Sequence, residues 1–220
     1  MSTKTKNKII QEAKLLFNKE GYGAPTLYQL SQVIGISRGN LTYYFKDKEV
    51  LLLSIVDKMW QKYEALMART TQHPSWESTN NSTLAFHALQ KEYTFIFFDK
   101  QILNVPEVRD QIIRIRDHHI QWQMSIIRFS IRIGNMKPEI IKGTYDNLCK
   151  TIWTASFFWL MSDVYKEDPL DKDWGRYVWS IILPHFTEKG VDAFRNHFGE
   201  AYFNSLGKPF EAFETMGFGL

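Results

Sequence analysis

The sequence predicts an all-α chain, with a small three-helix domain at the N-terminus and a larger helical body behind it. Three observations carry that expectation. Apolar residues recur at helical spacing in nearly every segment, strand-like alternation is scarce, and glycine and proline sit at segment ends. With 220 residues, 44% of them hydrophobic, the chain has ample material for a packed core.

The elements follow in order. Ile9, Ile10, Ala13, Leu16 and Phe17 form one stripe on a helix from about Thr5 to Lys19, closed by Gly21 and Gly23. Thr26 and Gln29 have the spacing of a capping box, opening a short second helix that ends at Gly35. Ser37 caps a third helix, Arg38 to about Phe45, and Asp47 caps a fourth, Lys48 to about Arg69. The polar stretch His73 to Asn81, with Pro74, reads as a loop. Further helices are expected over about Ser82–Phe98, Pro106–Ile133, Pro138–Tyr165, Leu170–Phe186 and Glu188–Phe198, with Pro184 kinking or ending its helix. The division falls at residue 47: residues 1–47 form the first domain, 48–220 the second, with no flexible linker between them.

Charge separates the two parts. The net charge is +3, but residues 1–50 carry eight Lys and Arg against four Asp and Glu, so the remainder sums to −1. A locally basic segment attracts phosphate, and a nearly neutral body does not. Within that segment lies a helix-turn-helix pattern. Ser31 supplies the small residue where the two helices meet, Gly35 the turn, and Leu30, Ile34, Ile36 and Leu41 the apolar contacts that lock the angle, with Tyr44 adding its ring.

Three runs carry a family resemblance: Gly21-Tyr22-Gly23-Ala24-Pro25-Thr26, Leu30 through Leu41, and Tyr43-Tyr44-Phe45-Lys46-Asp47-Lys48-Glu49-Val50-Leu51. Together they resemble the N-terminal signature of the TetR family of bacterial regulators over residues 8–55. The resemblance implies a transcriptional regulator whose third helix enters the major groove of a double-stranded DNA operator. Arg38 and Asn40 are then placed to read base edges, and Gly39 lets the helix approach closely. Tyr43 and Tyr44 can give hydroxyls to phosphates, Thr26 and Lys48 stand at helix starts suited to phosphate, and Tyr28 and Thr42 complete the expected surface. Family members usually carry tyrosine directly after the leucine of the third helix. Here that position is Thr42, so the corresponding contact passes to Thr42 or Tyr43.

The body carries no glycine-rich phosphate loop and no nucleophile elbow, and is not expected to be an enzyme or to hold a cofactor. Cys149 is the only cysteine, which excludes an intrachain disulfide and a cysteine-based zinc site. His118 and His119 are adjacent on a helix, point about 100° apart and cannot share a metal ion, so one should pack and one face water. Asp110, Arg114 and Asp117 lie on one helix face, as a surface ion-pair network would. The basic N-terminus lacks an apolar signal core, and no stretch reaches the roughly 18 apolar residues of a membrane span, so the chain reads as cytoplasmic.

The resemblance also implies a body that binds a small ligand and forms a homodimer through its last long helices, about 139–165 and 170–186. The rings Trp153, Phe157, Phe158, Trp159, Trp174, Tyr177 and Trp179 crowd those helices, more than one face is expected to bury alone. Trp60, Phe86, Tyr93, Trp122, Phe129, Trp153 and Phe157 are the candidate ligand-binding residues, suited to an apolar or aromatic effector. Two alternatives stay open: a helical small-molecule-binding or catalytic protein with a vestigial helix-turn-helix, and a regulator that senses a protein partner.

Overall fold

The computed structural model describes residues 3–72, 75–162 and 171–206, and the regular elements among them are helical. In chain order these are α1 (Thr3–Glu20), α2 (Leu27–Ile34), α3 (Arg38–Tyr44), α4 (Lys48–Gln72), α5 (Trp76–Glu92), α6 (Thr94–Phe98), α7 (Lys100–Leu103), α8 (Pro106–Arg132), α9 (Thr144–Ser162), α10 (Asp171–Ile182), α11 (Glu188–Phe198) and α12 (Glu200–Asn204). A 3₁₀ turn, Leu183–His185, follows α10. Pro184 sits in it and ends the helix as expected, because it has no amide to continue the ladder. Among the described residues no helix is long and apolar enough to cross a membrane.

Two compact units emerge. The first takes in the residues up to 68 together with 88–115, the second 69–87 together with those from 116 onward. In the first unit the predicted stripe of α1 is the core: Ile9, Ala13 and Phe17 are fully buried, with Leu30, Leu41, Leu51, Leu52, Ile55 and Met59. Each large side chain contributes roughly 1.5–3 kcal/mol by leaving water. Asp47 caps α4 through its carboxylate, which accepts the Val50 amide at 2.8 Å.

The same unit ties α1 to residues 92–99. The expected continuous helix over 82–98 breaks at Tyr93, whose φ of −123° and ψ of 32° leave the helical region. Asn18 explains why the break is tolerated. Its Nδ2 donates to the Glu92 carbonyl at 2.9 Å, and its Oδ1 accepts the Phe95 amide at 3.1 Å. Those are the backbone groups a break leaves without helical partners, and a buried orphan would be costly. Lys14, 2% exposed, pairs with the Glu92 carboxylate, which Lys62 also meets at 2.7 Å. Burial alone would raise the Glu92 carboxyl, but hydrogen bonds from Lys14 and Lys62 and their charge outweigh it and hold the group below its ordinary value.

The second unit is organised around rings. Trp76 packs against Trp179, Phe186 and Phe194 with centroids 5.4–5.9 Å apart. The N-terminus of α11 crosses the 133–137 loop at backbone contact distance. Thr187 donates its amide to the Asn135 carbonyl at 3.0 Å and its hydroxyl to the Gly134 carbonyl at 2.7 Å, while capping Gly190 at 3.1 Å.

Several expectations are corrected. Residues 76–81 are not loop: they form the first turns of α5, with Ser75 Oγ accepting the Ser78 amide at 3.0 Å as its cap. Residues 138–143 are not helical. Glu139 instead folds forward, its carboxylate accepting the Gly143 amide at 3.2 Å and the Tyr145 amide at 2.7 Å, so α9 starts at Thr144. The acidic and basic residues of α8 pair with sequence neighbours, Arg109 with Asp110 at 3.8 Å and Arg116 with Asp117 at 2.8 Å, rather than along an Asp110-Arg114-Asp117 row. These pairs are exposed and contribute little. Trp174 and Trp179 do not wait for a partner to bury them. They are 2% and 4% exposed within their own unit, because α5 and α11 supply the rings they stack on. Phe158, 66% exposed, and Met161, 44%, are the apolar groups of α9 that remain outward. The expected helix end at Tyr165, the start at Leu170 and the tail beyond 206 lie outside the described residues.

Candidate nucleic-acid interface and effector cavity

The turn between α2 and α3 has the geometry its residues predict. Gly35 lies in the left-handed region, φ 75° and ψ 37°, and the amides of Gly35 and Ile36 both donate to the Ser31 carbonyl at 3.0 Å. A Cβ at Gly35 would meet no atom of the described residues within 4 Å, so the requirement there is backbone conformation rather than space. Ser31 is fully buried and turns its hydroxyl onto the Tyr28 carbonyl at 2.7 Å, which keeps a polar group satisfied at the helix crossing. Leu30, Ile34 and Leu41 are buried as expected, Ile36 and Tyr44 only partly. Phe45, 1% exposed, is a lock the sequence reading had placed only at the helix end.

Outside that core, α3 presents an open face. Ser37 caps it by accepting the Asn40 amide at 3.1 Å. Arg38, Gly39 and Asn40 are exposed, and among the described residues the Arg38 and Asn40 side chains make no intrachain hydrogen bond. Tyr43 is 68% exposed, Tyr28 58%, and Tyr43 meets Tyr44 edge-on at 5.4 Å. Gly39 is helical and a Cβ there would meet no atom within 4 Å. Nothing in the fold requires glycine at that position.

Three of the nine candidate DNA contacts are already engaged within the chain. Thr42 turns its hydroxyl back onto the Arg38 and Gly39 carbonyls at 3.1 and 3.2 Å. Thr26 forms the full capping box with Gln29: its hydroxyl accepts the Gln29 amide at 3.2 Å, and its own amide donates to Gln29 Oε1 at 2.8 Å. Lys48 places its ammonium 4.5 Å from the Tyr22 ring centroid and donates to the Gly23 carbonyl at 3.4 Å. Burial lowers its pKa, an effect that the nearby Asp99 opposes. The exposed Lys46, beside the end of α3, was not singled out from the sequence, although its place in the basic run could have marked it.

The second unit contains a cavity of about 280 Å³ whose walls come from α5, α8, α9, α10, Phe186, His197 of α11 and the loop after α8. Trp122 and Phe129 of the candidate ligand-binding set line it. Phe86 and Trp153 instead pack around His119, and Phe157 packs on Trp153 at 5.0 Å. Trp60 and Tyr93 belong to the first unit, where Trp60 packs on Tyr63 at 5.7 Å and Tyr93, 2% exposed, lies beneath Lys14 at 4.9 Å. Trp76, Thr79 and Thr83 line the cavity but were not selected, because the stretch holding Trp76 was read as loop. Their spacing of three and four residues was the available signal. Cys149 also lies on the wall, and burial pushes its thiol up to about 12, so it stays protonated.

His118 and His119 divide as predicted. His118 is exposed, whereas His119 is 4% exposed and stacks on Phe86 at 4.1 Å. Burial, with the neighbouring His118 adding to it, lowers the His119 pKa to about 3, so the ring is neutral. Among the described residues no group of three His, Cys, Asp or Glu side chains is placed to hold a metal ion.

The chain has relatives that match this architecture. The family model of bacterial regulatory proteins of the tetR family matches residues 9–55, the span from the middle of α1 into α4. The probable HTH-type transcriptional regulator YttP of Bacillus subtilis is 27% identical over 144 residues, covering 64% of this chain and 70% of that protein. The HTH-type transcriptional regulator QacR of Staphylococcus aureus is also 27% identical, over 140 residues, covering 61% of this chain and 72% of its own length. A TetR-family regulator from Marinobacter aquaeolei shares the fold with a TM-score of 0.78 at 18% identity, over 92% of this chain and 99% of that one.

Proposed function

We propose that this chain, whose residues 9–55 match the family model of tetR-family regulatory proteins, is a DNA-binding transcriptional regulator of the TetR family and works as a ligand-responsive homodimeric repressor of a palindromic operator. The observation that carries the reading is α3, a helix with exposed Arg38, Gly39 and Asn40 at its start, no partner among the described residues for the two polar side chains, and a basic segment around it. Residues 1–47 form the DNA-binding domain, and 48–220 the ligand-binding and dimerisation domain. Arg38 and Asn40 read bases, while the exposed Tyr28 and Tyr43 and the half-buried Tyr44 meet the backbone. Thr42 spends its hydroxyl on α3 itself, so Tyr43 takes the contact that the family assigns to the tyrosine absent here.

The exposed Phe158 and Met161 of α9 mark the face that pairs two copies. Regulation runs through α4, which begins directly after the recognition helix and ends in residues grouped with the cavity-bearing unit. An effector that prefers one setting of α4 changes the spacing of the two recognition helices. A preference of about 1–3 kcal/mol weakens operator binding roughly 5–150-fold.

Two experiments test this reading. Selection of genomic fragments on the purified protein should enrich an inverted repeat with half-sites about one helical turn apart. Enrichment of no motif by a folded dimer would overturn it. Gly39→Ala then separates fold from contact. Alanine is favoured over glycine in a helix by about 0.5–1 kcal/mol and meets nothing in the protein, so the variant should unfold at a higher temperature yet bind the selected DNA more weakly. Equal or tighter binding would mean that α3 does not approach DNA closely at Gly39.

A further inference from the structure

The cavity of the second unit has a chemical character that narrows what it can hold. Rings from Trp76, Trp122, Phe129, Trp179 and Phe186 make much of its wall, with isoleucine and valine side chains between them. Among the described residues that line it, none is Asp, Glu, Lys or Arg. Ring faces attract cations, but with no carboxylate on the wall a buried cation would rest on ring faces alone and have no counter-charge to replace its lost water. An anion fares worse: it faces ring quadrupoles, and His197 is the one described wall residue with a side chain basic enough to answer it. The volume, about 280 Å³, is at the small end for ligand pockets and suits two or three fused or linked rings.

One polar group on the wall is not accounted for by the fold. The Gln123 Oε1 atom is buried and, among the described residues, has no hydrogen-bond partner. Two other polar groups there are bonded within the chain: the Thr83 hydroxyl donates to the Thr79 carbonyl at 3.0 Å, and the Ser75 hydroxyl to Ser78 Oγ at 3.2 Å. A buried acceptor without a donor is unfavourable, and a ligand donor would relieve it.

We propose that this cavity binds uncharged, ring-bearing apolar molecules that donate one hydrogen bond to Gln123. The proposal rests on the reading of the second unit as an effector domain, and it specifies the effector by charge and by donor.

Matched naphthalene probes test it at pH 8 on the full chain. N-phenyl-1-naphthylamine is neutral and carries one N–H. Its 8-sulfonate adds a negative charge, 1-benzylnaphthalene replaces the N–H by CH₂, and (1-naphthylmethyl)trimethylammonium is cationic. By calorimetry and fluorescence the neutral amine should bind at least ten-fold more tightly than either charged probe, and roughly three- to ten-fold more tightly than the CH₂ analogue. Gln123→Leu, close in size, should erase the preference for N–H over CH₂ while still binding both. Ile126→Trp, which fills the cavity, should weaken all binding, and Val178→Phe serves the same end if that variant fails to fold. Charged probes binding as well as the amine, an N–H preference surviving Gln123→Leu, or binding indifferent to both filling variants would each overturn the proposal. Operator affinity at saturating amine is read separately. Selective binding with unchanged operator affinity would contradict the regulatory reading and leave the ligand class standing.

Discussion

Gly190→Ala is expected to destabilise the second unit by about 3 kcal/mol or more. A Cβ on Gly190 would lie 2.0 Å from the Asn135 carbonyl oxygen and 2.8 Å from its carbon. These are backbone atoms, so no side chain can swing away. Asn135 is also held from three directions: its carbonyl accepts the Thr187 amide, its own amide donates to the Ser130 carbonyl at 2.8 Å, and the next residue, Met136, forms an antiparallel bridge with Phe186. Moving it apart from α11 would loosen the Thr187 cap and the ring cluster around Phe194. Thermal unfolding should shift down by roughly 6–12 °C for a protein of this size. Asp192→Ala, on the exposed side of the same helix, should stay within about 0.5 kcal/mol of the parent. A Gly190→Ala variant melting within 2 degrees or so of the parent would show that the crossing is looser than the contacts require.

Acid should destabilise the protein through His119 well before its carboxylates titrate. The folded-state pKa is lowered to about 3 from 6.5, by burial first and by His118 second. The folded ring therefore stays neutral while the unfolded ring takes up a proton below about pH 6.5. The unfolded state binds more protons, so stability is constant above that pH and falls as the pH drops from 6.5 toward 3. The slope approaches about 1.4 kcal/mol per pH unit, which makes the loss from pH 7 to pH 5 about 2 kcal/mol. His119→Phe keeps a flat ring against Phe86 and should remove this share of the pH dependence. Urea unfolding at pH 7, 6 and 5 measures it, and His119→Leu provides a second comparison. Parallel pH profiles for parent and both variants would contradict a neutral buried His119.

How much of this was legible in the sequence follows from which interactions are local. The stretch from α1 into α4 was legible nearly residue by residue because its signals are short-range: the Thr26–Gln29 box, the Ser37 and Asp47 caps, the Gly35 turn and the α1 stripe each lie within a few residues. The break at Tyr93 was not legible, since Asn18 makes it tolerable from more than seventy residues away. The cavity was only partly visible for the same reason. Trp122 and Phe129 lie on a helix that periodicity identified, while Trp76 lay in a polar stretch whose helical character depends on the Ser75–Ser78 cap and on packing against Trp179 and Phe194. The exposed face of α3 was read as a set of residue types. The structure adds which of them are open and which, like Thr42, are turned inward.

If α3 reads DNA sequence, the ratio of specific to non-specific affinity depends on its base-facing side chains. Parent and Arg38→Ala proteins are titrated with the selected operator and with a scrambled duplex of equal length across a salt series. Arg38→Ala is expected to lose about 1–3 kcal/mol on the operator, roughly 5–150-fold, while its affinity for the scrambled duplex changes far less, so the ratio collapses at every salt concentration. An unchanged ratio, with affinity for both duplexes falling together, would make Arg38 a phosphate contact. An unchanged affinity for both would remove α3 from the interface.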